Sequence, residues 1–291
     1  MLREILRLKA RKDLQLSQLL SRGFTLRTYA DPVANSSSGE SVLARAARVV
    51  QAFSPNSPQL SASQIARSAD LSTSTAHRLC LQMLEVGLLD RLDNGNFVLG
   101  GRAWESFLQT SPIERLRALS QPILGRLHAK LRCYVALAIP DFPQRQTLNL
   151  DYRDEFGEAE ILAYHGGRAD IFMTSSGIAL LAFGPQQWLK ELKSGGPLLR
   201  PTFFGDPVET SVVMEQVQLC QERGYSHIIG GVVAENTAIA APVWGPHSSV
   251  VAAVSCTILT EQADPAHISE AVMNAADELS IRITSMKRFA Y

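Results

Sequence analysis

The residues best suited to chemistry stand at the start of one short segment: Ser72, Thr73, Ser74, Thr75, His77 and Arg78. Short hydroxyls and a cation at a helix N-terminus suit phosphates and base edges in a DNA major groove, because helix N–H groups attract anions and arginine reads guanine. Gln82 continues that face by a turn; Arg91, Asn94 and Asn96 follow in a hairpin, and Arg45 upstream offers a further cation for phosphate. A second set, Thr174-Ser175-Ser176-Gly177, opens another helix. Free backbone N–H groups there bind a carboxylate without a cation; the plainer alternative is an N-cap that serves only its own helix. Ser255 and Thr257 alternate with Cys256 on a strand, so two hydroxyls share one face and the thiol takes the other.

Catalysis would have to start from Cys256, Ser255, His165 or His227, yet no signature links them, and none has nucleophile-elbow or metal spacing. Asp151, Asp154, Glu155, Glu158 and Glu160 read as a solvated acidic loop and not as paired catalytic carboxylates. The four cysteines, Cys80, Cys133, Cys220 and Cys256, are far apart and sit in apolar runs, so buried free thiols are expected, with no disulfide framework, zinc site or cofactor. Neither a dinucleotide-binding glycine motif nor a phosphate-binding loop occurs.

The elements that must position these groups follow from pattern. Ser61 and Gln64 have capping-box spacing and start one short helix; Ser72 N-caps a second, over about 73–86. On that second helix Ala76, Leu79, Cys80, Met83 and Leu84 share the core face, with Ser74, Arg78, Leu81, Gln82 and Glu85 opposite. Leu88, Leu89 and Leu92, then Asp93-Asn94-Gly95-Asn96, then Phe97-Val98-Leu99 make strand, turn and strand, with Asn94-Gly95 expected to supply positive φ angles. Helix, turn, helix and hairpin in that order outline a winged helix-turn-helix. Val42, Ala46, Val49, Val50 and Phe53 form a helical stripe expected to cover the pair.

At 291 residues, 46% of them hydrophobic, the chain has enough for two cores. Its 28 basic and 28 acidic residues cancel, so nucleic-acid affinity must come from local placement and not from a bulk field. No apolar run is long enough for a bilayer, and the first residues mix Arg3, Glu4, Arg7, Lys9 and Asp13 with leucines, so a cytoplasmic protein without membrane contact is expected. Four regions follow: an extension and linker over 1–40, the winged helix over 41–101, a linker helix over 102–112, and a second domain over 113–287. In that domain Pro122 is expected to divide or kink a helix over 113–131. Strands are expected at 133–140, 146–152, 160–165, 225–230, 237–244 and 249–259, and helices at 175–183, 186–193, 208–223 and 265–286. This is an α+β class with a largely antiparallel sheet.

From residue 42 to 283 the chain resembles the isocitrate lyase regulator (IclR) family of bacterial transcription factors. Leu43-Ala44-Arg45-Ala46 with Val49, Val50 and Phe53 looks like its opening helix, Ser74-Thr75-Ala76-His77-Arg78-Leu79 like its recognition helix, and Phe97-Val98-Leu99-Gly100 like the end of its wing. Thr174, Gly177 and Ala179-Leu180-Leu181-Ala182 resemble the helix beside its effector pocket; Arg223-Gly224-Tyr225, Ile239-Ala240-Ala241-Pro242-Val243 and the strand from Val250 to Ser255 match in order. The resemblance implies a GAF-like effector-binding domain, binding to operator DNA as a homodimer that can pair to a tetramer, and repression or activation under a small, often acidic metabolite. It places that effector among Thr174, Ser175, Ser176, Gly177, Ala238, Ile239, Ser255 and Thr257. Ala238 stands where a small polar residue is usual, Phe172 and Met173 where a histidine and a small residue are common, and Ile178 where a lysine is common. These departures leave three readings: an effector with an apolar or aromatic body, a DNA-binding protein with a vestigial pocket, or an enzyme with a DNA-binding appendage.

Overall fold

The computed structural model describes residues 40–142, 144–194, 198–201 and 207–285. The expected extension and linker lie outside them except for residue 40. The chain divides into two compact units between Ser111 and Pro112.

The first unit carries α1 (Val42–Gln51), α2 (Ala62–Ser68), α3 (Thr73–Glu85), the hairpin β1 (Leu89–Arg91) and β2 (Phe97–Leu99), and α4 (Gly101–Thr110). The capping box forms in full: Gln64 N–H donates to Ser61 Oγ, and Ser61 N–H to Gln64 Oε1 at 2.8 Å. Ile65, Ala76, Leu79, Cys80, Met83, Leu89 and Phe97 close the core. The covering stripe is narrower than expected. Of α1 only Val49 is fully buried, because α2 and α3 cover a single line of a ten-residue helix, while Val42 and Val50 stay exposed. The hairpin turn also differs. Gly95 N–H donates to Leu92 O at 2.9 Å, and Gly95 alone takes a positive φ, +82°, because a three-residue loop needs a left-handed residue only at its end. Asn94 instead accepts from Asn96 N–H and donates to Gln59 Oε1. Leu60 and Phe97 exchange two backbone hydrogen bonds, which tie the wing to the segment entering α2.

The second unit is built on a six-stranded, wholly antiparallel sheet of order β5-β4-β3-β10-β9-β8: β3 (Tyr134–Asp141), β4 (Gln146–Arg153), β5 (Arg168–Asp170), β8 (Ser226–Ile229), β9 (Asn236–Trp244) and β10 (Val250–Leu259). A separate pair, β6 (Leu198–Pro201) and β7 (Pro207–Val208), went unread in the sequence. On one face α5 (Pro112–Leu131) and α9 (Pro265–Ser285) bury Leu116, Leu124, Leu137, Ile239, Val254 and Leu279. On the other, α6 (Ser175–Phe183), α7 (Gln186–Ser194) and α8 (Thr210–Arg223) close around Ile178, Leu180, Val217, Ala240 and Ala253.

Three expectations need correction here. Pro122 does not divide the helix: α5 continues through it, since a proline removes one N–H bond while Leu116, Ile123, Leu124 and Leu127 still anchor both halves. Residues 160–165 form no strand. The edge of β4 is already taken by β5 and by hydrogen bonds between Asn149 and Gly166 and Gly167, so the segment folds over the sheet. Asp151 is not solvated: it is 2% exposed and held by Arg153 at 3.0 Å.

Candidate functional site

On α3 the two faces separate as the period requires. Thr73, Ser74, His77, Arg78 and Gln82 are exposed, with Ala76, Leu79, Cys80 and Met83 buried behind them. Ser72 and Thr75 are engaged in the cap: Thr75 N–H donates to Ser72 Oγ, which donates to Thr75 Oγ1 at 2.8 Å. In the wing Arg91 lies over the Phe97 ring, 5.7 Å from its centroid, with its head exposed. Asn94 is exposed and Asn96 half-buried. Arg45 is half-buried, and its Nε is screened without a hydrogen-bond partner among the described residues, so part of its side chain serves packing.

A cavity of about 150 Å³ lies in the second unit between the sheet and the start of α6. Its sheet side is mainly small: Ala136, Ala138, Ala238, Ser255 and Thr257. Thr174, Ser175 and Ser176 border it at α6, and the irregular segment through Ile161, Leu162 and Tyr164 walls it opposite. Alternation along β10 puts Ser255 and Thr257 here and Cys256 in the core behind, in line with the strand period. Two residues placed here from sequence lie elsewhere. Ile239 faces the α5–α9 core, one residue out of phase with Ala238. Gly177 does not line the cavity; a Cβ on it would overlap the Ile171 carbonyl, so it is glycine for close approach. Thr174 Oγ1 caps α6 by accepting from Gly177 N–H at 3.0 Å. The Ser175 and Ser176 N–H groups, ahead of the first intrahelical bond, have no hydrogen-bond partner among the described residues.

Sequence reasoning missed Tyr134, Thr147, Asn149, Arg168 and Asn236, all of which line the cavity. An asparagine between Leu148 and Leu150 in a strand was the available signal. Arg168 is neutralised by Asp141, at 2.6 Å. Burial pushes the Tyr134 phenol well up, so it remains a hydroxyl.

The groups considered for catalysis do not converge. The Cys256 thiol is held well above its ordinary range by a hydrogen bond to Cys133 and by burial, which suppresses the nucleophilic thiolate. Cys133, just before β3, and Cys256 on β10 are buried free thiols as expected, with their sulfurs 3.3 Å apart although 123 residues separate them in sequence. Burial and Arg223 hold His227 neutral by lowering its pKa. Among the described residues no His, Cys, Asp and Glu group could hold a metal, and no helix is long and apolar enough to cross a membrane.

A winged helix-turn-helix joined to an α+β domain with a ligand-sized cavity defines the architecture of a ligand-binding transcriptional regulator. Residues 42–93 match the family model of the IclR helix-turn-helix domain, and residues 113–281 that of the bacterial transcriptional regulator IclR C-terminal domain; the chain belongs to the IclR family. An IclR homolog from Microbacterium hydrocarbonoxydans, solved in complex with 4-hydroxybenzoate, is 30% identical over 84% of this chain and 99% of its own, with a TM-score of 0.73. A second homolog, from Microbacterium sp. strain HM58-2, is 28% identical over 86% of this chain and 100% of its own, at a TM-score of 0.52. The Thermotoga maritima IclR shares the fold at 22% identity and a TM-score of 0.61, over 83% of this chain and 98% of its own. No curated protein matches the chain.

Proposed function

We propose that this protein is a cytoplasmic, dimeric regulator whose grip on operator DNA is controlled by a small aromatic acid in the cavity of its C-terminal domain. In this reading residues 41–101 read DNA, 102–112 connect, and 113–287 bind the ligand. Ser74, His77, Arg78 and Gln82 meet base edges, and Thr73, Arg91, Asn94 and Asn96 meet phosphates or the adjoining groove. Two copies compensate for a neutral chain that offers few cations per winged helix.

The cavity carries the ligand half of this proposal. A volume near 150 Å³ suits one benzene-sized body, and the alanines beneath it leave room for a flat ring. Unpartnered Ser175 and Ser176 N–H groups at the start of α6 suit a carboxylate. The 4-hydroxybenzoate complex of the Microbacterium hydrocarbonoxydans relative supports the same class.

The test is a gel shift on DNA selected by the purified protein, repeated with benzoate-class acids, alongside thermal shift. Retarded DNA whose mobility changes with an acid that also raises the melting temperature is expected. Retardation indifferent to every acid, with no thermal shift, would leave a DNA-binding protein with a vestigial pocket. Turnover of the acid would mean an enzyme.

A further inference from the structure

We propose that the effector carries a hydroxyl opposite its acid group, and that Tyr134 and Asn149 read that hydroxyl; this rests on the aromatic-acid reading of the cavity. Asn149 is 9% exposed and lies on β4. Its Nδ2 donates to Tyr134 Oη at 3.0 Å and to the Tyr164 carbonyl at 3.3 Å. A carbonyl only accepts, so the amide's orientation is settled and Oδ1 is the atom left over. Oδ1 has no hydrogen-bond partner among the described residues. Tyr134, having accepted from Asn149, finds no acceptor for its own O–H among the described residues. Tyr134, with an unused donor, and Asn149, with an unused acceptor, therefore line one cavity.

A hydroxyl is the small group that accepts one hydrogen bond and donates another, so it answers both. A carboxylate would set oxygen against Oδ1, a methoxy group cannot donate, and a bare ring edge does neither. Oδ1 is screened from solvent in this conformation, so the incoming hydroxyl engages it as the amide turns, loosening its bond to Tyr164.

The layout across the sheet matches a ligand with two polar ends. Ser226 Oγ donates to the Ser175 carbonyl at 2.6 Å, and Ser226 pairs with Ala240, which pairs with Ser255; the start of α6 thus sits over β8, β9 and β10. Asn149 is on β4, two strands from β10, roughly 10 Å at ordinary strand spacing. Between them lie Ala138, the register partner of Asn149, and Ala136, the partner of Ser255. The order is polar end, methyl floor, polar end.

Calorimetric titration of the full-length protein with benzoate, 4-hydroxybenzoate and 4-methoxybenzoate tests this, repeated on Asn149→Leu and Tyr134→Phe. Wild type should bind 4-hydroxybenzoate about tenfold or more tighter than either other acid, a difference of about 1.4 kcal/mol. Asn149→Leu should erase that preference while still binding benzoate, and Tyr134→Phe should reduce it. If Asn149→Leu does not fold, Tyr134→Phe, which removes a single oxygen, carries the test. Wild type with no preference, or a preference that survives both substitutions, overturns the inference and leaves the aromatic-acid reading standing. Equal loss of benzoate and 4-hydroxybenzoate in a folded Asn149→Leu also overturns it. If none of the three acids binds wild type, the cavity reading itself fails, and the inference with it.

Discussion

Helices α3 and α6 each begin with a capped run of hydroxyl residues, and they place their function in opposite ways. α3 buries Ala76, Leu79, Cys80 and Met83 and leaves Ser74, His77, Arg78 and Gln82 outside. From Ser175 to Ala182 every residue of α6 is buried. The first helix shows one face to a partner and the other to its core, so recognition and stability can be altered independently. The second keeps its candidate site inside the domain, among residues that also hold the domain together.

The sharpest way to break this comparison is Gly177→Trp. Because even a Cβ at 177 would overlap the Ile171 carbonyl, the expected loss is on the order of 5 kcal/mol or more. Calorimetry should show the C-terminal unit's melting transition gone. A soluble variant with the wild-type transition would mean that α6 does not pack as described. Next is Leu79→Ala, where removing a side chain 4% exposed should lower stability by about 2–5 kcal/mol. A wild-type melting temperature combined with lost DNA binding would reverse the two faces of α3.

Arg78→Ala should do the converse: about 1–3 kcal/mol less affinity for the cognate site with melting unchanged. Unaltered retardation in a gel shift would sink Arg78 as a base contact. The smallest effect belongs to the outer surface of the second unit. Glu278 is 2.6 Å from Arg126 and 2.8 Å from Arg282, with all three side chains substantially exposed. The two arginines hold its pKa below the ordinary range, so its contribution is present above the unfolded pKa near 4.3 and is lost as pH falls through the lower folded value. Solvent screening keeps it under about 1 kcal/mol. Glu278→Gln should therefore melt slightly earlier than wild type at neutral pH and equally in strong acid, and a gap that widened in acid would contradict the ion pairs.

α3 was legible because its signals are local: Ser72 caps it, and a 3.6-residue period sorts its faces. The five longer strands of the second unit's sheet, β3, β4, β8, β9 and β10, were legible one by one, whereas the short β5, β6 and β7 were not, and 160–165 was read as a strand that does not form. Ile161 and Leu162 look like strand residues, but a strand needs a free edge, and Arg168–Asp170 had taken it. Whether an edge is free is decided by residues distant in sequence. The same limit explains the incomplete site. Alternation put Ser255 and Thr257 together but could not say which strand face met a cavity, so Tyr134 and Asn149 stayed hidden and Ile239 was misplaced. Gly177 was placed in the site because it opens the same helix, although its role is contact with Ile171.

The wing also bears on how long a DNA segment one copy can measure. Leu60 and Phe97 are joined by two backbone hydrogen bonds of 3.0 and 2.8 Å, and Asn94 at the wing tip is held to Gln59. The hairpin thus extends a short three-stranded ribbon whose third member leads straight into α2, so it cannot swing on the end of α3 like a hinged flap. Recognition helix and wing act as the two fixed points of a caliper. Whatever each touches, the offset between them is set by the protein, and a base pair inserted in that interval has to be absorbed by twist in the DNA.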